Sequence, residues 1–290
     1  MTSKVKELVF DCIYWLYQHR ISPNRILVYS IDETIDALLN SDKSLVRFGD
    51  GEIRYIEGKS GEFQAYDKKL AEALGDILQF KDDRLLVGIP DIFDSLDMYI
   101  KKSRRFWKEH LYFSRKTYEK YCVTDKTYYN AFITRPFYMS KDKKLCENWF
   151  EKIKRIWRNK PIVIVEGAVS HNGVGNDLFS SATKIYRIIC PSCNAYAAYD
   201  QILKGCLSFP KDVLFLTSVG MAAKLLTKEL VDQGYRAIDI GNLDMEYDWY
   251  LQGAETKVDL QKHHCLSEED NRKAGYYEYL EQIVYNFENL

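Results

Sequence analysis

"PIVIVEGAVSHNGVGNDLF", residues 161–179, is the passage on which the fold turns. Its first seven residues form an apolar run that ends at Gly167. A strand with one wet face alternates apolar and polar residues, whereas an uninterrupted run belongs to a strand covered on both faces, as in a parallel sheet between helical layers. "KIYRIIC" (184–190), "DVLFLTS" (212–218) and "YRAIDIG" (235–241) repeat the type. Helical segments are expected between them, starting near Asn176, Asn194 and Met221. Strand–helix alternation at this spacing gives a parallel sheet with right-handed crossovers. In such sheets ligands bind at the carboxyl ends of the strands.

Toward the amino terminus the alternation continues. The pattern predicts a helix over 31–40, a strand over 44–48, a helix from about Asp67 to Phe80, a strand over 84–88 and a long helical stretch holding Met98, Trp107 and Tyr112. "YYNAFITRPFYM" (128–139) has strand composition interrupted by Pro136. "KKLCENWFEKIKRIW" (143–157) returns to helical periodicity. The first twenty residues place Val5, Leu8, Val9, Cys12, Ile13 and Leu16 on one helical face. They are too short and mixed to span a bilayer and lack a cleavage site. A packed helix is expected, with a membrane-surface or partner-binding helix as the alternative.

The 290 residues carry 41 basic and 42 acidic side chains, a net charge of -1 that gives no electrostatic footprint for nucleic acid. "KKSRRFWK" (101–108) reads as a solvated helix face. Seven cysteines without a signal peptide indicate a reducing compartment, the cytoplasm. "CPSC" (190–193) has redox spacing, and His263, His264 and Cys265 could complete a zinc site, but the spacing fits no zinc pattern and incidental thiols are the better reading. No repeat or low-complexity linker divides the chain.

Four strand ends carry polar or glycine-rich sequence. The first is "RFGDGE", from Arg47 to Glu52. In an extended segment Asp50 and Glu52 would project to one side and share a cation such as Mn²⁺ or Mg²⁺, while Gly49 and Gly51 admit a close ligand. The alternative is that Asp50 caps a helix and Glu52 favours its positive end. Arg47 beside the acids suits a diphosphate. In the second, Gly173, Val174, Gly175, Asn176 and Asp177 offer backbone N–H groups to a phosphate, or else form a turn with Asn176 or Asp177 as a helix cap. Ser170 and His171 precede this loop, and Pro191 and Asn194 stand in the third, "PSCNAY" (191–196). In the fourth, Asp244, Glu246 and Asp248 lie beside Trp249, a pairing that suits a sugar but that can equally open a helix.

"RFGDGE", "VEGAVSHNGVGNDLF", "RIICPSCNAY" with "YDQIL", and "GYRAIDIGNLDMEYDWYL" occur in this order at these separations. Together they resemble the GT-D-type glycosyltransferases, a bacterial family first defined as a domain of unknown function, from about Ile31 to Val258. The resemblance implies a Rossmann-like α/β fold, a mostly parallel sheet flanked by helices with a helical insertion at 95–160. It implies a catalytic domain over 31–258 (halves 31–160 and 161–258), preceded by a helix and lead-in over 1–30 and followed by a helical tail over 259–290. It also implies a UDP-sugar donor, UDP-glucose foremost, with Mn²⁺ or a similar ion held by the Asp-x-Glu motif at Asp50 and Glu52. Family members glycosylate surface glycans and serine-rich adhesins, so a glycan or glycoprotein acceptor and a place at the inner face of the membrane are expected. Longer members carry a second transferase module, for which this chain has no room, so partner transferases are expected as separate polypeptides. Two positions depart from the family's pattern: His171 stands where arginine is common, and Asn242 where histidine is.

These features lead us to expect a metal-dependent transferase in which Arg47 and the N–H groups of Gly173–Asn176 steady the phosphates. Asp244, Glu246 and Asp248 are the candidate bases, Glu246 favoured. The competing readings are a non-catalytic nucleotide-sugar-binding subunit and a dinucleotide-dependent oxidoreductase. The missing third glycine of the dinucleotide fingerprint speaks against the latter.

Overall fold

A computed structural model describes residues 3–19, 26–260 and 275–290. In chain order the elements are α1 (Ser3–Gln18), β1 (Leu27–Val28), α2 (Ile31–Leu39), β2 (Ser44–Arg47), α3 (Asp50–Ile56), α4 (Lys68–Gln79), β3 (Leu85–Ile89), α5 (Lys101–Tyr121), β4 (Thr127–Asn130), α6 (Lys144–Lys154), β5 (Pro161–Gly167), β6 (Lys184–Cys190), α7 (Tyr199–Cys206), β7 (Leu214–Ser218), α8 (Ala222–Asp232), β8 (Arg236–Asp239), α9 (Leu243–Leu251), α10 (Tyr276–Glu281) and β9 (Ile283–Asn286). The strands form one sheet in the order β1-β4-β3-β2-β8-β7-β5-β6-β9, and every neighbouring pair is parallel.

The apolar run of β5 is buried on both faces. Ile162 and Ile164 join one core, and Val163 and Val165 the other, as the two-residue period of a strand requires. On the first face lie α2, α6 and α9, with Phe150 of α6 against Tyr247 and Tyr250 of α9. On the second, α8 packs against both α4 and α7, and α5 against α3 and α4. Local signals set the helix starts. Ser30 and Glu33 form a reciprocal capping box on α2, and Asp67 accepts from the Leu70 N–H to open α4.

The structure corrects several local expectations. No helix begins near Asn176: residues 168–183 run as successive turns, with Gly173 and Gly175 at φ +80° and +79°, values a right-handed helix cannot hold. "GDGE" is not extended: α3 begins at Asp50, and Glu52 accepts from the Gly49 N–H at 2.8 Å. On a helix, residues two apart diverge by about 200°, which removes the premise that Asp50 and Glu52 project together. The strand within 128–139 stops at Asn130, whose side chain caps a short 3₁₀ turn, Ala131–Thr134, ahead of Pro136. The carboxyl-terminal tail is not wholly helical, because β9 joins the sheet beside β6. On α1, Tyr14 and Tyr17 face the core, whereas Val5, Leu8 and Cys12 of the expected packing face are exposed. The imagined zinc ligands His263, His264 and Cys265 lie outside the described residues. Among those residues no helix is long and apolar enough to cross a membrane.

Candidate active site

The strand order switches between β2 and β8, the point at which an open parallel sheet forms its crevice. These neighbours share a single register pair, Leu45 with Ile238. The chain leaving β2 enters α3 and α4 on the second face, while the chain leaving β8 enters α9 on the first, so the strand ends open between two diverging connections. The seam is closed by side chains instead of a ladder. Asp239 accepts from the Arg47 backbone N–H at 3.3 Å and from its guanidinium Nη2 at 2.9 Å, and Arg47 Nε donates to the Asp239 carbonyl at 2.7 Å. Lys224 of α8 reaches Asp239 at 3.2 Å and Glu52 at 2.7 Å. Arg47, Asp239, Lys224 and Glu52 thus form a neutral buried quartet. Gly241, at φ +44°, completes it, because any Cβ there would run into the Arg47 guanidinium.

The quartet changes the roles expected from sequence. Arg47 spends its remaining Nη1 on the Ala131 carbonyl at 3.3 Å and is a structural tie, not a free phosphate ligand. Glu52 has one oxygen on Gly49 and the other on Lys224. Burial works against its charge, but the Lys224 ammonium and the Gly49 N–H prevail and hold its carboxyl below the usual range. Asp50, one helical step away, behaves oppositely. Burial and then the Glu52 charge raise its pKa, with Arg135 pulling it down. Arg135 ends the 3₁₀ turn after β4, on the far side of β3, and joins the crevice through tertiary structure alone.

The glycine loop is likewise engaged by the protein. Asp244 Oδ1 accepts from the Gly173 N–H and from Asn176 Nδ2, both at 2.8 Å, and Asn176 Nδ2 also donates to Asp248 at 2.7 Å. The Val174 and Asn176 N–H groups turn back to the carbonyls of His171 and Gly173. Asp177 is held by the Tyr247 hydroxyl at 2.5 Å and by Lys154 at 3.2 Å. The expected cradle of consecutive free N–H groups over Gly173–Asn176 is therefore absent among the described residues. The loop is instead a latch between β5 and the acids of α9. The carboxyl-terminal segment covers it: Gly275 approaches the Gly175 nitrogen, and His171 packs against Tyr276 and Tyr279. Beneath, Glu166 bonds Asn172 and the buried Arg187.

Other candidates separate by burial. Phe48, expected beside the UDP donor, is a fully buried core residue, and Trp249, expected at the sugar, is buried with its indole N–H on the Val258 carbonyl at 2.8 Å and presents no ring to it. Glu246 is 1% exposed, and its Oε2 accepts from the Phe137 and Tyr138 N–H groups at 3.0 and 2.7 Å. That position makes it a brace for the segment after Arg135 and removes it as the favoured base. Asn194, in the left-handed region, accepts from the Ala65 N–H at 2.7 Å and pins the 60–66 loop beside the half-buried Pro191; Ser170 stays half-buried above Gly167. Gly49 and Gly51 flank Asp50 in the α3 turn, with Met221 near Gly51.

Sequence reading missed Arg135, Lys224 and Asp91. Asp91 follows β3 at its carboxyl end, half-buried beside Asn130. Burial, reinforced by Asp94, pushes its carboxyl up to about 7. The available signals were the Pro90–Asp91 pair after β3 and the Arg135–Pro136 pair after the 3₁₀ turn. Among the described residues no three His, Cys, Asp or Glu side chains form a ready-made metal cage. The donor set fits a cation held by Asp50 together with a ligand's phosphate oxygens. It does not fit direct ligation by Glu52, whose oxygens face a backbone N–H and an ammonium.

Comparison with known proteins agrees with this architecture. The family described as "Glycosyltransferase GT-D fold" matches residues 45–268. A solved protein described as a new glycosyltransferase from Streptococcus sanguinis is 39% identical, with a TM-score of 0.84 over 90% of this chain and 99% of that one. A second, described as having a distinct glycosyltransferase fold, is also 39% identical, with a TM-score of 0.85 over 97% of this chain and 99% of that one. The probable glycosyl transferase Gly of Streptococcus gordonii is 39% identical over 90% of this chain, and glycosyltransferase GlyD of Streptococcus pneumoniae serotype 4 is 37% identical over 90%. The chain spans only 39% and 32% of the length of those two relatives. With the family matched along most of its length and the parallel sheet in place, the chain belongs to the glycosyltransferases of the GT-D fold.

Proposed function

We propose that this chain transfers a hexosyl group, glucosyl in the simplest case, from a UDP-sugar to a glycan or glycosylated-protein acceptor, with Mn²⁺ or Mg²⁺ at the donor diphosphate. The observation that carries this reading is Asp50. It is a half-buried carboxyl at the β2–β8 divergence whose pKa is raised by burial and by Glu52, while its neighbour is tied into the quartet. A carboxylate with no side-chain hydrogen bond or ion pair among the described residues is the group a shared cation uses. When bound, that cation supplies neutralisation of charge on the departing diphosphate.

In this reading the protein's own residues divide the work. Asp50 holds the metal side of the donor, and the quartet keeps the two strand ends at fixed separation. Asp91, just past the carboxyl end of β3, the strand next to β2, and with a pKa near neutrality, replaces Glu246 as the group to take the acceptor hydroxyl's proton. In this reading the catalytic unit spans 31–258, and it serves surface-glycan synthesis beside partner transferases at the inner face of the membrane.

The test is calorimetry of UDP with and without Mn²⁺ on the wild type and on Asp50→Ala. We expect Mn²⁺-dependent binding that weakens about 10- to 100-fold in the variant, the range of a charge-assisted contact. Binding that ignores Mn²⁺ in both proteins would remove the cation and Asp50's role, and absence of UDP binding would remove the donor.

A further inference from the structure

Besides the exposed Arg54 of α3, three cations with buried or half-buried side chains reach the divergence of β2 and β8, and two of them are consumed by the protein. Arg47 gives its guanidinium to Asp239 and the Ala131 carbonyl, and Lys224 gives its ammonium to Glu52, Asp239 and the Gly220 carbonyl. Arg135 is different. Its half-buried side chain makes no hydrogen bond or ion pair with the described residues, although its charge is felt by Asp50 and by Glu246. Its backbone, by contrast, is fixed on both sides. The Arg135 N–H donates to the Phe132 carbonyl at 2.8 Å, Pro136 follows, and Glu246 clamps the next two N–H groups. A half-buried cation on a braced backbone, with its fork of donors unspent, is arranged to receive its counter-charge from a ligand.

Resting on the donor assignment above, we infer that Arg135 grips the diphosphate of the nucleotide-sugar donor, the role that Arg47 cannot fill. In the transfer, the bond from the sugar's C1 to the β-phosphate oxygen breaks, and its electron pair stays on the diphosphate. The acceptor oxygen forms the new bond to C1 and gives up its proton to a carboxylate. Negative charge therefore accumulates on the leaving group, where a planar guanidinium can take two phosphate oxygens at once. Glu246 acts through Arg135 as a positioning residue. It is 1% exposed, so little solvent reaches this brace.

The experiment compares UDP with uridine on the wild type, Arg135→Ala and Arg135→Lys in Mn²⁺, with melting temperature as the folding control. Uridine keeps the base and ribose but lacks the phosphates, so it separates a diphosphate contact from general damage. Arg135→Ala is expected to lose about 10- to 100-fold in UDP affinity, the range of a charged hydrogen-bonded contact, with uridine affinity and melting temperature unchanged. Arg135→Lys should recover part of that loss, since it restores the charge without the fork. Equal losses for UDP and uridine, or UDP affinity unaltered in both variants, would overturn the assignment. A wild type that binds neither compound would instead overturn the donor reading on which it stands.

Discussion

Replacing Asp239 by asparagine tests whether the charge quartet, and not a hydrogen-bonded ladder, holds the two halves of the sheet together. Asp239 is fully buried and takes four contacts besides its own backbone: Arg47 Nη2 and the Gly241 N–H on Oδ1, the Arg47 N–H and Lys224 on Oδ2. An amide of the same shape can accept on one side only. In either orientation its NH₂ faces two donors, and two cations are left with Glu52 as their single counter-charge. Removing one partner of a buried ion pair costs about 3–5 kcal/mol. With an unfolding entropy of about 2.1 cal/mol/K per residue over 290 residues, the melting temperature should fall by about 5–8 °C. Thermal melts followed by circular dichroism and calorimetry would measure it. Adding Lys224→Met removes the surplus cation, so the double variant should lose less than the two single losses combined, with a coupling of at least about 1 kcal/mol. A single variant within about 1 kcal/mol of wild type, or strict additivity in the double, would refute the role given to the quartet.

The Asp91 carboxyl should make stability depend on pH with a definite sign. Its folded pKa, raised by burial, is about 7 against an ordinary 3.8. Its contribution is therefore fully present below the lower value and lost as pH rises through the upper, reaching up to about 4 kcal/mol of destabilisation at pH 8. Asp91→Asn should melt above wild type at pH 8 and match it near pH 4, while turnover falls; identical pH profiles for the two proteins would contradict this assignment. In the glycine latch, Gly173→Ala should cost about 1–3 kcal/mol more in urea denaturation than Gly175→Ala. Both positions have positive φ, but a Cβ at Gly173 would stand 2.5 Å from the buried Phe179 ring, whereas at Gly175 nothing lies within 4 Å. Equal losses would mean that the loop does not pack as described.

The motifs lie at the carboxyl ends of the strands, but several of the side chains they contain have internal roles that the sequence did not suggest. "RFGDGE" lies at the crevice, yet its arginine is a tie and its glutamate a cap, and the ligand role is proposed for Asp50 alone. The acids after β8 serve structure: Asp244 and Asp248 latch the glycine loop, and Glu246 braces the turn beyond Arg135. Arg135 itself lay in the passage hardest to read, where strand composition met Pro136.

By itself the sequence determined the layers. Apolar runs through β5–β8, the period of α4 and α6 and the serine and aspartate caps are local signals, because burial on one face or two is written into residues only a few positions apart. Membership of the glycosyltransferase family was legible in the same way, from motifs at strand ends. Only the tertiary structure decided which charges are spent on internal partners. Arg47 and Asp239 stand 192 positions apart, and Gly173 and Asp244 stand 71 apart. No local pattern records such pairs, since a side chain's role follows from the partners that folding brings within about 3 Å of it.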